Sequence, residues 1–307
     1  MRLLVLSRNA SLYSTGRLVR AARARGHEVD VIDPARLQFA AVPGCCAVLL
    51  GGHPMPPYDA VLPRIGASMT SFGAAAVAEL EAAGLCVIGS SSAILLARDK
   101  VRSLQLLARS GVMVPRTVGL RALHGLDEAL ALVGGCPVVV KLQHGTQGVG
   151  TMIAESEVSL RSFCEALAAM GQHLVLQEFV REAGGRDVRA FVVGGKVVAA
   201  MRRAAAPGEF RSNLHRGGTG EAIALAPAFK RAAVRAAEVL GLEVAGVDLL
   251  DVPGRPLVIE VNCSPGLEGI EQATTVDVAD AVVAHVERRV ARARRRGSSR
   301  MPTRSRR

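Results

Sequence analysis

Short apolar runs alternate with amphipathic stretches along the first 89 residues of the chain. The apolar runs predict strands at 3–6, 29–32, 60–62 and 86–88, and the helical spacing of apolar residues predicts helices at 14–25 and 71–83. Gly26 and Gly84 follow the two helices, as is usual at a helix C-terminus. The Gly- and Pro-rich segment 43–57 predicts a loop or hairpin. This alternation is typical of a doubly wound α/β domain.

A second region begins at Ser90, Ser91 and Ser92, a strong N-cap signal. We predict one helix from this cluster to Gly111, with Lys100 off its apolar stripe. Further apolar runs predict strands, and helical spacing predicts helices, in the remainder of the chain. The strands are at 137–142, 151–154, 174–177, 188–193, 196–201 and 246–251, and the helices at 160–170, 229–240 and 276–290.

Two oxygen-bearing side chains, Glu260 and Asn262, lie two residues apart in a β-branched run. In a strand they share one face, while Ile259 and Val261 point to the other. Asp248, on a neighbouring apolar run, offers a third oxygen. Three hard oxygen ligands without His or Cys suit Mg²⁺. The alternative is a set of polar residues on a solvent-facing strand.

The segment from Gly145 to Gly150 is rich in glycine and lies between two predicted strands. It lacks the Gly-Lys-Ser/Thr of a P-loop and the helix that a dinucleotide fingerprint requires. Strand, glycine loop and strand predict a hairpin lid whose N–H groups lie over phosphates, with an ordinary glycine turn as the alternative. Lys141 favours the lid, because a lysine in a buried strand is otherwise unusual.

Charged side chains cluster after residue 186. Asp187 and Arg189 share a strand face, and a polar, glycine-punctuated stretch follows. Its members are Arg202, Arg203, Arg211, Asn213, His215 and Arg216. Arginine forks bind carboxylate and phosphate in two-point fashion, although a plain surface loop is the alternative. Residues 177–180 end a strand where an adenine can bind through backbone groups, or where the strand simply ends.

The net charge of +11 comes from one end of the chain. Residues 288–307 hold ten arginines and no acid, which leaves 28 basic against 27 acidic residues elsewhere. The excess is therefore an Arg-rich tail, and its Ser and Pro content predicts disorder. Either it is a solvated arm or it contacts RNA phosphates.

No uninterrupted apolar run approaches the roughly 20 residues needed to span a bilayer, and no signal peptide is evident. The six cysteines show no Cys-x-x-Cys spacing, so neither a zinc site nor a disulfide framework is expected. A cytoplasmic protein without membrane contact is the simplest expectation.

Taken in order, these motifs resemble the RimK family of α-L-glutamate ligases, in the ATP-grasp superfamily. Three segments of the sequence carry the resemblance most specifically. They are Tyr58-Asp-Ala-Val-Leu-Pro-Arg-Ile-Gly66, Glu209-Phe-Arg-Ser-Asn-Leu-His-Arg-Gly-Gly218 and Asn262-Cys-Ser-Pro-Gly-Leu-Glu-Gly-Ile-Glu271. The resemblance covers residues 1–287 and leaves the tail outside.

The resemblance implies an α/β protein with an ATP-grasp fold. Residues 1–89 would form a doubly wound N-terminal pre-ATP-grasp domain, 90–180 the central lid subdomain, and 181–287 the C-terminal subdomain with the metal site. Residues 288–307 would remain a disordered basic tail.

The resemblance also implies roles for individual residues. ATP contacts are expected at Lys100, Lys141, Gly148, Glu178, Phe179, Asp187, Arg211, Ser212 and Asn213. Asp248, Glu260 and Asn262 would bind two Mg²⁺ ions, or Mn²⁺, with Glu260 bridging them. Arg203 or Arg211 would stabilise the developing oxyanion. Phe179 stands where the family commonly has Tyr, and Cys263 where Ala or Ser is usual.

The implied reaction is ATP-dependent addition of glutamate to the C-terminal glutamate of a ribosomal small-subunit protein, or to a growing poly-α-glutamate chain, through an acyl phosphate. A homo-oligomer such as a tetramer is expected. One alternative keeps the chemistry but joins another pair, for example a cofactor tail or an amino-group carrier protein. Another is a non-catalytic, ATP-regulated protein that binds ribosomes through the tail.

Overall fold

The computed structural model describes residues 1–42, 45–143, 150–206, 209 and 217–298. The chain divides into two compact units, each built from separate stretches of sequence. The first comprises Met1–Ser92, Gly266–Glu268 and Asp277–Arg307, and the second Ala93–Pro265 and Gly269–Val276. Across the described residues, no helix is both long enough and apolar enough to cross a membrane.

The first unit carries a parallel sheet of four strands in the order β2-β1-β6-β7. Its elements in chain order are β1 (Arg2–Leu6), α1 (Tyr13–Ala24), β2 (Glu28–Ile32), β3 (Leu37–Val42), β4 (Cys45–Leu50), β5 (His53–Pro54), β6 (Ala60–Pro63), α2 (Thr70–Ala82) and β7 (Cys86–Val87). Residues 3–6 of β1 are at most 1% exposed, as expected of a parallel strand covered on both faces. The predicted doubly wound domain is confirmed.

A second, antiparallel sheet lies in the first unit, with strand order β3-β4-β5. The sequence predicted only a loop or hairpin over 43–57. Pairing between β4 and β5 confirms a hairpin there, but β3 begins at Leu37, before the predicted segment. Its six residues are too few for periodicity to separate a strand from a loop.

The last helix of the first unit, α9 (Val278–Ser298), extends well into the range predicted as a disordered tail. Residues 288–298 are therefore helical, and 299–307 lie outside the described residues. Ala and Arg favour helix, and Val290 is only 4% exposed, so burial and propensity both extend the helix. Arg25 donates to Asp280 at 2.6 Å and to Glu287 at 2.9 Å, tying α9 to the end of α1. The boundary predicted at 287 therefore falls inside a helix.

The second unit contains two antiparallel sheets. Its elements are α3 (Ser91–Arg98), α4 (Lys100–Arg109), β8 (Thr117–Leu120), α5 (Leu126–Val133), β9 (Val138–Leu142), β10 (Thr151–Ala154), α6 (Glu157–Ala169), β11 (Leu174–Glu178), β12 (Arg186–Val193), β13 (Lys196–Ala204), β14 (Thr219–Ala222), α7 (Pro227–Val239), β15 (Val244–Leu250), β16 (Val258–Asn262) and α8 (Glu268–Thr274). The strand orders are β10-β9-β11-β8 and β14-β13-β12-β15-β16.

One helix was predicted between Ser90 and Gly111, and the structure has two, α3 and α4. Asp99 separates them because its backbone is extended, and its carboxylate caps α4 by accepting the Arg102 N–H at 3.0 Å. An Asp that caps a helix competes with helix continuation. The break makes Lys100 the first residue of α4.

The five-stranded sheet has one apolar face, which packs against α4 and α7. Its buried members include Val188, Ala190, Val247 and Val258, all at most 1% exposed. Because side chains alternate along a strand, the residues between them project from the opposite face. That opposite face carries polar residues, among them Arg189, Asp248 and Glu260.

Candidate active site

Strand register brings the separated polar residues into one row. Arg189 on β12 lies opposite Asp248 on β15, and Asp248 lies opposite Glu260 on β16. Two residues along each strand, Gly246 lies opposite Asn262, so the amide falls on the same face as Glu260. The predicted grouping of Asp248, Glu260 and Asn262 on one sheet face is therefore present.

Asp248 is held by two arginines. Arg189 donates to its two carboxylate oxygens at 2.7 and 2.6 Å, and Arg203 on β13 adds an ion pair at 2.9 Å. Burial alone would raise the pKa of Asp248, but the two guanidinium groups outweigh it and hold the pKa well below its usual range. Asp248 is thus a buried, charged carboxylate.

Arg203 is only 3% exposed and also forms a two-point bond with Asp187, at 2.7 and 2.5 Å. Burial opposes its charge, yet Asp248 and Asp187 more than compensate and raise its pKa further. Two arginines and two aspartates therefore balance in one buried network. Arg203 was predicted to stabilise the oxyanion and Asp187 to contact ATP. Either role would require a side chain that already forms ion pairs in this network.

The two predicted lysines lie in the same unit. Lys100 Nζ donates to the Gln143 carbonyl at 3.3 Å, where β9 has just ended. Burial lowers the pKa of Lys100, and the charge of Glu260 opposes that change. Burial lowers the pKa of Lys141 to about 8. The negative charge of Glu260 opposes this change, and the positive charge of Lys100 adds to it. Glu260 therefore acts electrostatically on both lysines.

Gln177 bonds one of the two predicted lysines, and sequence reasoning did not assign it individually. Lys141 Nζ donates to its Oε1 at 2.7 Å, and its own Nε2 donates to the Thr117 hydroxyl at 2.9 Å. Gln177 is 3% exposed. The sequence feature that could have identified Gln177 is its amide inside the apolar run of β11, because a buried amide needs hydrogen-bond partners.

Glu178 and Phe179 were predicted as ATP contacts at the end of β11. Arg116 donates to the Glu178 carboxylate through its backbone N–H at 3.1 Å and its Nε at 3.2 Å. Although partial burial would raise the pKa of Glu178, these bonds lower it. The Glu178 N–H already donates to the Arg116 carbonyl, at 2.8 Å. Arg181 lies 5.8 Å from the Phe179 ring centre.

The predicted metal ligands fit a hard cation. Within the described part of the chain, the half-buried Glu260 carboxylate has no hydrogen bond or ion pair. The Asn262 side-chain oxygen accepts the Ser264 N–H at 2.9 Å, which orients the amide and leaves a second lone pair. No group of three or more His, Cys, Asp or Glu suited to a metal occurs among the described residues, so any cation here would rely on the Asn oxygen.

Several predicted residues lie outside the described residues. They are Gly148, Arg211, Ser212 and Asn213, with His215 and Arg216 of the same stretch. The flanking strands β9 and β10 do pair antiparallel, with Thr151 opposite Lys141, as a hairpin lid requires.

Family models cover nearly the whole chain. The RimK PreATP-grasp domain matches residues 1–94 and the RimK-like ATP-grasp domain matches 97–286. A "Probable alpha-L-glutamate ligase" of Marinomonas sp. (strain MWYL1) is 50% identical over 288 residues, covering 94% of this chain and 96% of that protein. A protein of the same name from Thioalkalivibrio sulfidiphilus is 51% identical over 287 residues, covering 94% and 95%.

Solved structures share the fold at lower identity. The ATP-grasp ligase PsnB with its minimal precursor has a TM-score of 0.73 at 24% identity, over 94% of this chain and 98% of that one. A RimK domain protein from Sphaerobacter thermophilus has a TM-score of 0.70 at 24% identity, over 94% and 100%. With these matches added to the sheet-borne site, the chain belongs to the RimK-like ATP-grasp family and is a carbon–nitrogen ligase.

Proposed function

We propose that this protein uses ATP to activate a carboxylate and joins it to the amino group of glutamate. The observation that carries the proposal is the polar face of the five-stranded sheet. There Glu260, which bonds no other described residue, lies opposite an arginine-bound Asp248, and its charge opposes the lowering of the pKa of two half-buried lysines by burial. Cationic and anionic groups arranged in this way suit a polyphosphate with its metal.

ATP would lie between the lysines and the acidic row. Lys100 and Lys141 would contact phosphate oxygens, and the glycine loop with Gly148, which lies outside the described residues, would supply the predicted cover over them. The adenine would lie at the end of β11 beside Glu178 and Phe179. Because the Glu178 N–H is already bonded to Arg116, the purine would meet other backbone groups of this junction. Asp187, Arg211, Ser212 and Asn213 would complete the nucleotide contacts.

Asp248, Glu260 and Asn262 would hold Mg²⁺, or Mn²⁺ in its place, with Glu260 shared between two ions. A bound Mg²⁺ supplies charge neutralisation at the β- and γ-phosphates. This residue set fits the role, since Glu260 is a carboxylate without a partner among the described residues and Asn262 is pre-oriented by Ser264.

The reaction has two steps. An acceptor carboxylate oxygen attacks the γ-phosphorus of ATP, the bond to the bridging oxygen breaks, and ADP leaves, giving an acyl phosphate. The free amine of glutamate then attacks the acyl carbon, inorganic phosphate departs, and the amine loses a proton as the amide forms. Arg203 or Arg211 would stabilise the oxyanion in the second step. A closed lid would keep water from the acyl phosphate.

Glutamate is proposed as the amine because the relatives at about half identity are named α-L-glutamate ligases. The proposed acceptor is a peptide that ends in glutamate, either a ribosomal small-subunit protein or a growing poly-α-glutamate chain. A ribosomal acceptor would place the enzyme in the cytoplasm, where the basic end of the chain would contact RNA. A homo-oligomer, such as a tetramer, belongs to the same proposal.

The test combines the purified protein with ATP, Mg²⁺, glutamate and a panel of acceptors. The panel contains a peptide ending in glutamate, the intact small ribosomal subunit, a cofactor with a carboxylate tail and an amino-group carrier protein. We expect ADP release that depends on glutamate, and a mass gain of one or more glutamate residues on the first two acceptors. Gain only on the others would reassign the acceptor. ADP release indifferent to glutamate, with no acceptor modified, would contradict the proposal.

A further inference from the structure

A cavity of about 490 Å³ lies in the second unit, against α4 and the edge strand β8. Cavities of a few hundred Å³ are typical of ligand sites. Polar groups of Gln105 and Gln143 line it together with apolar side chains of Val101, Leu106 and Leu120. Glu260, Asp248 and Lys141 are not among the residues that line it, so its walls are distinct from the polar sheet face.

The charge on the walls of this cavity is strongly positive. Arg102, Arg109 and Arg121 line it with His173, and the only acid on the walls is Asp99. Asp99 is already engaged as the cap of α4. None of the three guanidinium groups pairs with a carboxylate among the described residues, in contrast to the paired Arg189 and Arg203. The cavity is thus suited to an anion.

The spacing of these arginines favours an extended ligand over a compact one. Arg102 and Arg109 are seven residues apart on one face of α4, a rise of about 10 Å. A ligand with several anionic groups along its length could pair with both arginines without drawing their side chains together. An extended peptide advances about 3.3 Å per residue and presents every second side chain on one face, so carboxylates two and four residues apart, at about 7 and 13 Å, bracket that rise. The apolar walls would contact the methylene groups of glutamate side chains.

The cavity is also joined to the proposed nucleotide site. The His173 ring nitrogen Nδ1 hydrogen-bonds Gln143 Oε1 at 2.9 Å, and the Gln143 carbonyl accepts from Lys100 at 3.3 Å. Gln143 is thus shared between the cavity wall and a lysine expected to contact phosphate. A ligand in the cavity would lie within one residue of that lysine.

We propose that this cavity binds an acidic peptide and holds a glutamate-rich acceptor or product while its terminus reacts elsewhere in the unit. The choice of a glutamate peptide rests on the proposed function, whereas the anion preference rests on the arginines alone. Short acceptors that do not reach the cavity would react without its help.

Binding is measured by fluorescence anisotropy with a labelled penta-glutamate peptide, without ATP or Mg²⁺. The test variant is Arg109→Ala/Arg121→Ala, and the matched control is Arg231→Ala, an exposed helical arginine on α7. We expect Kd to rise at least about tenfold in the test variant and to stay unchanged in the control. A penta-glutamine peptide should not bind, and inorganic phosphate should displace the acidic peptide no better than chloride at equal ionic strength.

Four results would overturn the proposal: unchanged Kd in the test variant, equal loss of affinity in Arg231→Ala, equal binding of penta-glutamine, or specific displacement by phosphate.

Steady-state kinetics gives a second measurement. The test variant should raise KM for a long acidic acceptor and leave kcat, and turnover of a single-glutamate acceptor, unchanged. A fall in kcat on the short acceptor would make the cavity part of the catalytic site. If the wild type shows no glutamate-dependent ADP release, the proposed function fails while the binding result still decides the cavity.

Discussion

Asp248 on β15 and Arg189 on β12 lie directly opposite each other and share two hydrogen bonds, of 2.7 and 2.6 Å. Asp248 is also the residue predicted to bind Mg²⁺. Its carboxylate therefore has a structural role before any metal arrives, because it neutralises Arg189 and gives the buried Arg203 a second counter-charge beside Asp187. The stability of the sheet and the chemistry of the site depend on the same carboxylate.

Asp248→Asn should destabilise the protein by about 3 kcal/mol, because it leaves Arg189 and Arg203 short of a buried partner. Urea unfolding at neutral pH measures the change. Asp251→Asn is the matched control, since Asp251 bonds the more exposed Arg202 at 2.7 Å, and it should cost about 1 kcal/mol or less. Equal costs for the two variants would contradict the buried network as a source of stability.

Glu260→Gln should abolish activity while changing the stability of the protein little. The Glu260 carboxylate has no bond to another described residue and only attracts Lys100 and Lys141 at longer range, so stability should fall by about 1 kcal/mol or less, below the cost of Asp248→Asn. The rise in Tm caused by added Mg²⁺ and ATP should disappear, and ADP release should be lost. Glu165→Gln, on the exposed side of α6, is the control and should keep both. A variant that retains full ADP release would remove Glu260 from the metal site.

The affinity for ATP should depend on pH through Lys141. Burial lowers the pKa of Lys141 to about 8, so its charge is present below that pH and is lost as pH rises above it. The Kd for ATP should therefore increase between pH 7 and 9.5. Lys141→Arg stays charged throughout this range, and its Kd should show a smaller rise. The same pH profile in both proteins, measured by calorimetry, would assign the dependence to another group.

Gly246 should not tolerate a side chain. A Cβ there would lie 2.8 Å from the Pro265 Cβ, and Gly246 pairs with Asn262. Gly246→Ala should therefore cost about 1–3 kcal/mol and weaken the Mg²⁺-dependent rise in Tm, because Asn262 would shift. Gly266→Ala, with open space around its Cβ, is the control and should leave both unchanged. Equal melting curves for the two variants would show that β15 and Pro265 adapt to the added methyl group.

Two truncations separate the helical and terminal parts of the basic segment. A chain ending at Ser298 should keep the wild-type Tm, whereas one ending at Glu287 should lose stability because buried Val290 is removed. Both should weaken ribosome association most at low salt, where phosphate attraction is least screened. Activity on a free peptide should survive the shorter deletion. Unchanged ribosome association in both would show that the basic segment does not bind RNA.

The local pattern of apolar and polar residues was sufficient to predict most elements of the fold. The alternation of β1 with α1, and of β6 with α2, predicted the doubly wound sheet because each element has its own apolar period. Asp99 was missed because capping depends on one side chain inside an apolar stripe that continues past it. The extension of α9 was missed because ten arginines indicate solvation, while Val290 alone marks the buried side.

For the site, the period-two pattern correctly placed Glu260 and Asn262 on one face, and strand register then brought Asp248 opposite Glu260. Sequence could not show that Asp248 is bonded to Arg189 and Arg203, because those contacts join β15 to β12 and β13, which lie far earlier in the chain. The Lys141–Gln177 bond was hidden for the same reason. Long-range pairing, not local chemistry, was the missing information.

The central claim, activation of a carboxylate by phosphoryl transfer, is tested by an isotope. An acceptor peptide with both oxygens of its terminal carboxylate replaced by oxygen-18 is incubated with the enzyme, ATP, Mg²⁺ and glutamate, and the released phosphate is analysed by mass spectrometry. An acyl phosphate requires one labelled oxygen in each phosphate released per amide formed. Unlabelled phosphate alongside amide product, or label appearing in AMP, would contradict it.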